Sequence, residues 1–248
     1  MHQQKLPVTE YYDDRSDDAN VWYKHLFADL VKILPSELPS GVTLGFHYTG
    51  VVVDPNAFLP WIMDKLRERG VTFIQRELAS LEQLATGTRA DILVNASGLG
   101  ARELASDENV LGIRGQTMFI PYSFSRVVIR QGSEYTYVIP RMPSGGVILG
   151  GVSQPDNTSH QVDPTLRGDI LGRVNRMTGG EFGWVNLDRD VGMDIVGFRP
   201  ARKHGVRAER EGRVIHAYGV GGLGYMYSFG LARKVQELVL SMNNRSML

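Results

Sequence analysis

The sequence predicts an α/β protein: a split layer of helices and parallel strands with an antiparallel β-sheet inserted in it. Three observations carry this. Between Asp54 and Gly98, a helical pattern, a closing glycine and apolar strand runs follow one another. From Gly115 to Gly151 the chain breaks into short β-branched runs separated by turn residues. At Val214–Ala232 an apolar run, a glycine cluster and a helical pattern return. Strand alternating with helix argues parallel strands under helices, whereas short runs with close turns argue hairpins.

Taken in order, Asp17–Leu34 carries Val21, Trp22, Leu26, Leu30, Val31 and Leu34 at helical spacing, stopped by Pro35 and Pro39. Ahead of Trp22 the chain reads as a polar segment without a strand. TLGFHYTGVVVDP predicts extended chain with a turn at Gly50. Asp54 opens a helix that runs to Gly70, a glycine suited to the end of a helix. Val71–Leu78 predicts a strand, a short polar helix follows, and Ile92–Val94 predicts a strand entering a turn of small residues. QTMFIPY, RVVIR, YTYVIPR and GGVILGG are the strands of the insert. Leu166–Met177 predicts a helix, Phe198–Gly219 returns to strand and turn, and Tyr225–Met242 predicts the final helix. The implied division is 1–105, 106–198 and 199–248.

Composition narrows the function. The chain has 248 residues, enough for a full core, with 42% hydrophobic and 22% charged residues. Its 27 basic and 27 acidic residues leave no electrostatic footprint for nucleic acid or an anionic membrane. The absence of cysteine excludes disulfides, iron–sulfur clusters and thiol catalysis, and fits a reducing, intracellular compartment. Six histidines lack H-x-x-x-H or H-E-x-x-H spacing, so no metal site is expected, and His47, His160 and His204 read as solvated or locally bonded. The N-terminus lacks the apolar core of a signal peptide, and no apolar run reaches the ~20 residues that span a bilayer. Ser246-Met247-Leu248 is one substitution from the S-K-L peroxisomal address; without that address the location reads as cytoplasmic.

Gly219, Gly221 and Gly224 spell G-x-G-x-x-G. A dinucleotide-binding first turn needs a strand before it, a helix after it and an acid about 20 residues on. The first two are present and the third is not, because the chain ends. The element therefore closes a sheet. It can hold an anion or a flat ring against its backbone, or serve close packing alone.

VIHAYGVGGLG with Gly230-Leu231-Ala232 resembles the C-terminal signature of the D-amino-acid oxidase family, which includes D-aspartate oxidase. ERGVTFIQREL, ADILVNASGLGA, Arg114-Gly115-Gln116, YVIPR, VILGG and VGFRPAR agree with that family in order. The resemblance covers most of the chain from Trp22 onward. It implies a partial FAD-binding, Rossmann-like layer carrying an antiparallel substrate domain, resembling the family without its first α/β unit. The implied reaction is FAD-dependent oxidation of a D-amino acid by molecular oxygen, with hydride passing to the flavin. The products are a 2-oxo acid, ammonia and hydrogen peroxide. A non-catalytic remnant unable to hold FAD and a glycine- or sarcosine-type amine oxidase are the alternatives. A nicotinamide dehydrogenase fits least.

The resemblance also assigns residues. Arg199 matches the arginine that binds the substrate carboxylate, as a planar guanidinium can with two parallel hydrogen bonds. Tyr137 matches a tyrosine reaching the same carboxylate, and Tyr135 lies on its face of the strand. Arg130 resembles the extra arginine of the D-aspartate branch, although Ser153 stands where that branch offers another. Arg114, Gly115 and Gln116 are implied beside the flavin ring, with Gly221, Gly222, Leu223 and Gly224 at the closing turn, and Ser97 and Gly98 toward the adenine. The implied partners are small molecules, and a homodimer is left open.

Overall fold

The structure, a computed structural model, describes residues 3–243, so the Ser246-Met247-Leu248 motif lies outside the described residues. The chain opens on β1 (Gln3–Tyr12), where a polar segment was expected. Alternation explains it: Leu6, Val8, Glu10 and Tyr12 all point inward and are buried. Glu10 accepts hydrogen bonds from the hydroxyls of Tyr12 (3.1 Å), Tyr23 (2.6 Å) and Tyr48 (3.0 Å) and from Gln131 Nε2 (3.2 Å). Those donors offset the desolvation of a buried carboxylate. Burial, with Glu10 alongside, pushes the Tyr12 hydroxyl up to about 12.

The helix expected over Asp17–Leu34 is replaced by a single 3₁₀ turn, Trp22–Leu26, and the short strand β2 (Val31–Lys32). Contacts far along the chain override the local pattern. Phe27 stacks on Tyr48 with ring centroids 4.5 Å apart, and Val31 pairs with His47. The apolar stripe is not buried as one face either, since Trp22, Leu26, Val31 and Leu34 are all at least 60% exposed. β3 (Leu44–Val53) runs straight through Gly50, where a turn was expected. A Cβ there would fall 2.6 Å from Val8 Cγ2, so the glycine serves close strand approach.

α1 (Pro55–Glu68) starts at Asp54, whose carboxylate accepts from Asn56 N, and ends before Gly70 (φ +82°), as expected. Val71–Leu78 belongs to none of the described strands. Val71, Phe73 and Ile74 are exposed, Ile74 by 79%, and a lone extended segment has no ladder to stabilise it. α2 (Leu81–Gly87), β4 (Leu93–Asn95) and α3 (Ala101–Leu104) follow. The insert is β5 (Val110–Ile120), β6 (Val127–Gln131), β7 (Thr136–Pro140) and β8 (Val147–Gly150), then α4 (Pro164–Thr178). β9 (Met193–Arg202), β10 (Arg207–Glu211), β11 (Val214–Tyr218) and α5 (Gly224–Asn243) complete the chain.

One sheet has the order β2-β3-β1-β6-β7-β8-β5-β9, the other β10-β11-β4. The β6-β7-β8-β5 ladders are antiparallel, as expected of the insert. Two compact units emerge: residues 1–72, 115–153 and 160–197 form one, and residues 73–114, 154–159 and 198–248 the other. In the first unit, Met118, Val128, Val138 and Leu149 of the sheet pack on Ile170, Val174 and Met177 of α4. In the second, β11 runs parallel to β4, as the α/β reading requires. There Asp107 accepts from Arg202 Nε (2.8 Å) and Tyr218 Oη (2.9 Å), and the arginine holds its carboxyl well below the usual range.

Candidate functional site

The second unit holds two glycine turns that follow adjacent parallel strands. β4 and β11 run parallel with His216 beside Asn95, the last residue of β4, and β11 continues two residues further to Tyr218. β4 opens into the Ser97–Gly100 turn before α3, and β11 into the Gly219–Gly224 turn before α5. The carboxyl ends of adjacent parallel strands are where open α/β sheets take their ligands. Gly98 (φ +60°) and Gly221 (φ +59°) adopt left-handed backbone that a side chain resists.

β9 lies against both turns. A Cβ on Gly98 would sit 3.5 Å from Pro200 Cβ, and one on Gly222 would sit 3.2 Å from Arg199 Cδ. Ala201 bridges to Val220. Arg199 therefore lies beside Gly222, while Gly98 packs on Pro200, the next residue of β9. Arg199 Nη1 also donates to Arg114 O at 3.4 Å. Leu223 is exposed, Gly224 opens α5, and the first turn of α5 carries no acidic residue. Backbone N–H groups and a helix N-terminus without a competing carboxylate suit an anionic cofactor with a flat ring, so the residues fit FAD.

Behind the first turn lies a chain that sequence reasoning missed. Ser97 donates to Asn95 Oδ1 through Oγ (2.7 Å) and N (3.2 Å). Asn95 Nδ2 lies 3.3 Å from His216 Nδ1, and His216 Nε2 lies 3.3 Å from Glu211 Oε2. This network assigns Nδ1 as acceptor and Nε2–H as donor. Burial, reinforced by the Arg207 charge, pushes the His216 pKa down. The available signal was one polar residue within each apolar strand, Asn95 at the end of β4 and His216 in the middle of β11. Their pairing across 121 positions is invisible in sequence.

The first unit holds the tyrosines. Tyr135 and Tyr137 are half-buried, with ring centroids 5.4 Å apart. Gly150 and Gly151 frame the Tyr137 hydroxyl: Cβ atoms there would lie 2.8 and 2.9 Å from its oxygen. Gln116, beside buried Gly115, donates to Asp163 O (2.8 Å) and accepts from Asp163 N (2.9 Å). It thereby ties β5 to the cap of α4. Arg114, in the second unit, is buried and donates to Ser159 O and Gln154 Oε1, both at 2.8 Å.

Arg130 does not join Tyr137. In the β6–β7 ladder Arg130 faces Thr136 and Ile129 faces Tyr137. One residue of register puts Arg130 on the opposite side, the side of α4. There it pairs with Asp13 (2.9 Å) and Glu134 (3.0 Å) and donates to Gly41 O (3.1 Å). It lines a cavity of about 580 Å³ with Tyr11, Ser133, Glu134 and Arg176. Among the described residues no His/Asp/Glu cluster could hold a metal ion, and no helix is long and apolar enough to cross a membrane.

Residues 3–238 match the model of the DAO family, FAD dependent oxidoreductase. A D-amino-acid oxidase of Fusarium vanettenii is 30% identical over 239 residues, 88% of this chain and 65% of its own length. A D-aspartate oxidase of Talaromyces thermophilus is 34% identical over 255 residues, 95% of this chain and 66% of its own. The chain thus spans about two thirds of the length of these curated relatives. Among solved structures, glycine oxidase of Geobacillus kaustophilus superposes with TM-score 0.74 over 97% of this chain and 72% of its own, at 13% identity. L-Proline dehydrogenase from P. horikoshii gives 0.71 over 98% and 73%, at 14%. The structural likenesses show the shared fold.

Proposed function

Because the chain belongs to the DAO family of FAD-dependent oxidoreductases, we propose that it carries the substrate and flavin contacts for oxidative deamination of D-amino acids. The products are 2-oxo acids, ammonia and hydrogen peroxide. The observation that carries this reading is Arg199 lying along the Gly221–Gly222 backbone. A carboxylate-binding cation stands there at a turn built to approach a ring. When bound, FAD would supply the hydride acceptor for the α-hydrogen and the route for its electrons to molecular oxygen.

The chain's own residues position the substrate. The family resemblance assigns Arg199 to the substrate carboxylate through paired N–H groups and Tyr137 to a carboxylate contact through its hydroxyl. Tyr135 lines the pocket beside it. No strong base is needed, since orientation of the α-carbon supplies most of the effect. Ser97 and Gly98 would hold the adenine end of the cofactor. Gly221, Gly222, Leu223 and Gly224, with Arg114, Gly115 and Gln116, hold the flavin. The Asp13 and Glu134 partners of Arg130 support substrates with uncharged side chains over acidic ones.

Peroxide release from the FAD-supplemented protein with matched D- and L-amino acids tests this. Turnover confined to D-enantiomers is expected, and turnover of glycine derivatives alone would move the protein to the glycine-oxidase type. Production of peroxide also supports a peroxisomal address at Ser246-Met247-Leu248. A reporter fused to the last ten residues should become punctate, and a diffuse signal would reject the address.

A further inference from the structure

We propose that Arg173 is a positioning residue for Tyr137, fixing the angle at which its hydroxyl meets the substrate carboxylate. The inference rests on the reading of Tyr137 given above. Arg173 sits on α4, buried to 8% exposure, and all of its N–H groups are placed. Nη1 donates to Tyr135 O (2.6 Å) and Thr136 Oγ1 (2.8 Å), and Nη2 donates to Gly151 O (3.1 Å). Nε (3.0 Å) and Nη2 (2.9 Å) pair with Asp169 Oδ2. One guanidinium thus pins the strand just ahead of Tyr137 and the glycine just beyond β8.

Those are the two segments that frame the hydroxyl. Gly150 lies directly opposite Tyr137 in the β7–β8 ladder, whereas Gly151 lies past the end of β8. Its carbonyl is held by Arg173. With so little clearance at Gly150 and Gly151, a shift of the Gly151 backbone moves the wall against the tyrosine oxygen. Core packing alone does not ask for this arrangement. Asp169 is 52% exposed and offers a buried cation weak compensation, so the backbone acceptors are what hold Arg173 in place. A lysine keeps the charge but has a point-like ammonium and cannot span the three acceptors in the same fork.

The test is a double-mutant cycle on the FAD-loaded protein with Arg173→Lys and Tyr137→Phe. Propanoate binding is read by calorimetry, and KM and kcat are read with D-alanine. Arg173→Lys should raise the propanoate Kd and the KM about tenfold while kcat stays within about twofold, and its effect on Kd should fall below about twofold in the Tyr137→Phe background. An equal effect in both backgrounds would mean a merely structural role and overturn the proposal. So would an unchanged Kd in Arg173→Lys where Tyr137→Phe weakens binding. If Tyr137→Phe itself leaves propanoate binding unchanged, the carboxylate role of Tyr137 fails, and the positioning role with it.

Discussion

Arg130 and Tyr137, seven positions apart on neighbouring strands, face opposite sides of the sheet, because Arg130 pairs with Thr136 and Tyr137 with Ile129. The guanidinium that would have read an acidic substrate is instead ion-paired with Asp13, at 12% and 5% side-chain exposure. Replacing Arg130 with alanine should therefore cost stability, about 1–3 kcal/mol, by removing the cation from a buried carboxylate that keeps its hydrogen bonds from Ser133 and Glu134. The ratio of kcat/KM for D-aspartate over D-alanine should not move. Urea unfolding and substrate kinetics check both halves; a collapse of D-aspartate turnover alone would return Arg130 to the substrate.

Arg199→Leu should remove turnover while leaving FAD affinity within about threefold. Losing one partner of a charge-paired contact costs about 3 kcal/mol or more, so kcat/KM should fall at least about a hundredfold. Near-normal kcat/KM in this variant would mean that another group anchors the carboxylate.

Gly150→Ala should be poorly tolerated. Its Cβ would come within 2.8 Å of the Tyr137 oxygen, so the ring must move. Overpacking of this kind costs about 1–3 kcal/mol, read as a lower melting temperature, and substrate KM should rise with it. Gly168→Ala, where nothing lies within 4 Å of the added Cβ, is the matched control and should leave KM unchanged.

His216 predicts a pH dependence. Its pKa is pushed below the ordinary value of about 6.5 by burial and the Arg207 charge. The unfolded chain then binds this proton more readily than the folded one, so stability is level above about pH 6.5 and falls as the pH drops below it. Protonation also turns Nδ1 into a donor and removes the acceptor for Asn95 Nδ2. Urea midpoints between pH 5 and 8 should show this slope in the native protein and lose it in His216→Asn. An identical slope in both would place the titration elsewhere.

The sequence was most legible where a structural signal is local. VIHAYGVGGLG became β11, the glycine turn and α5 as expected, and Asp54 and Gly70 bracket α1 as their capping chemistry requires. The insert strands followed from β-branched runs between turns. What stayed hidden depended on distant partners. β1 was masked because its inward series includes Glu10, which is tolerated only through tyrosines up to 38 positions away. The helical spacing of Asp17–Leu34 was overridden by Tyr48 and His47. The motifs alone brought Arg199 and the glycine turn forward as candidates, and Arg199 Cδ lies beside Gly222. The side of the sheet taken by Arg130 could not be read there, since a single step of register decides it. Arg173 offered no signal, as half of its acceptors are backbone carbonyls.

The most direct test of the flavin reading is the visible absorption spectrum of the purified protein after incubation with FAD, followed by anaerobic addition of single D-amino acids. Retained flavin bands that bleach with a D-amino acid and persist with its L-enantiomer are the predicted result. A protein that stays colourless at high micromolar FAD, or whose bound flavin no D-amino acid bleaches, would contradict it.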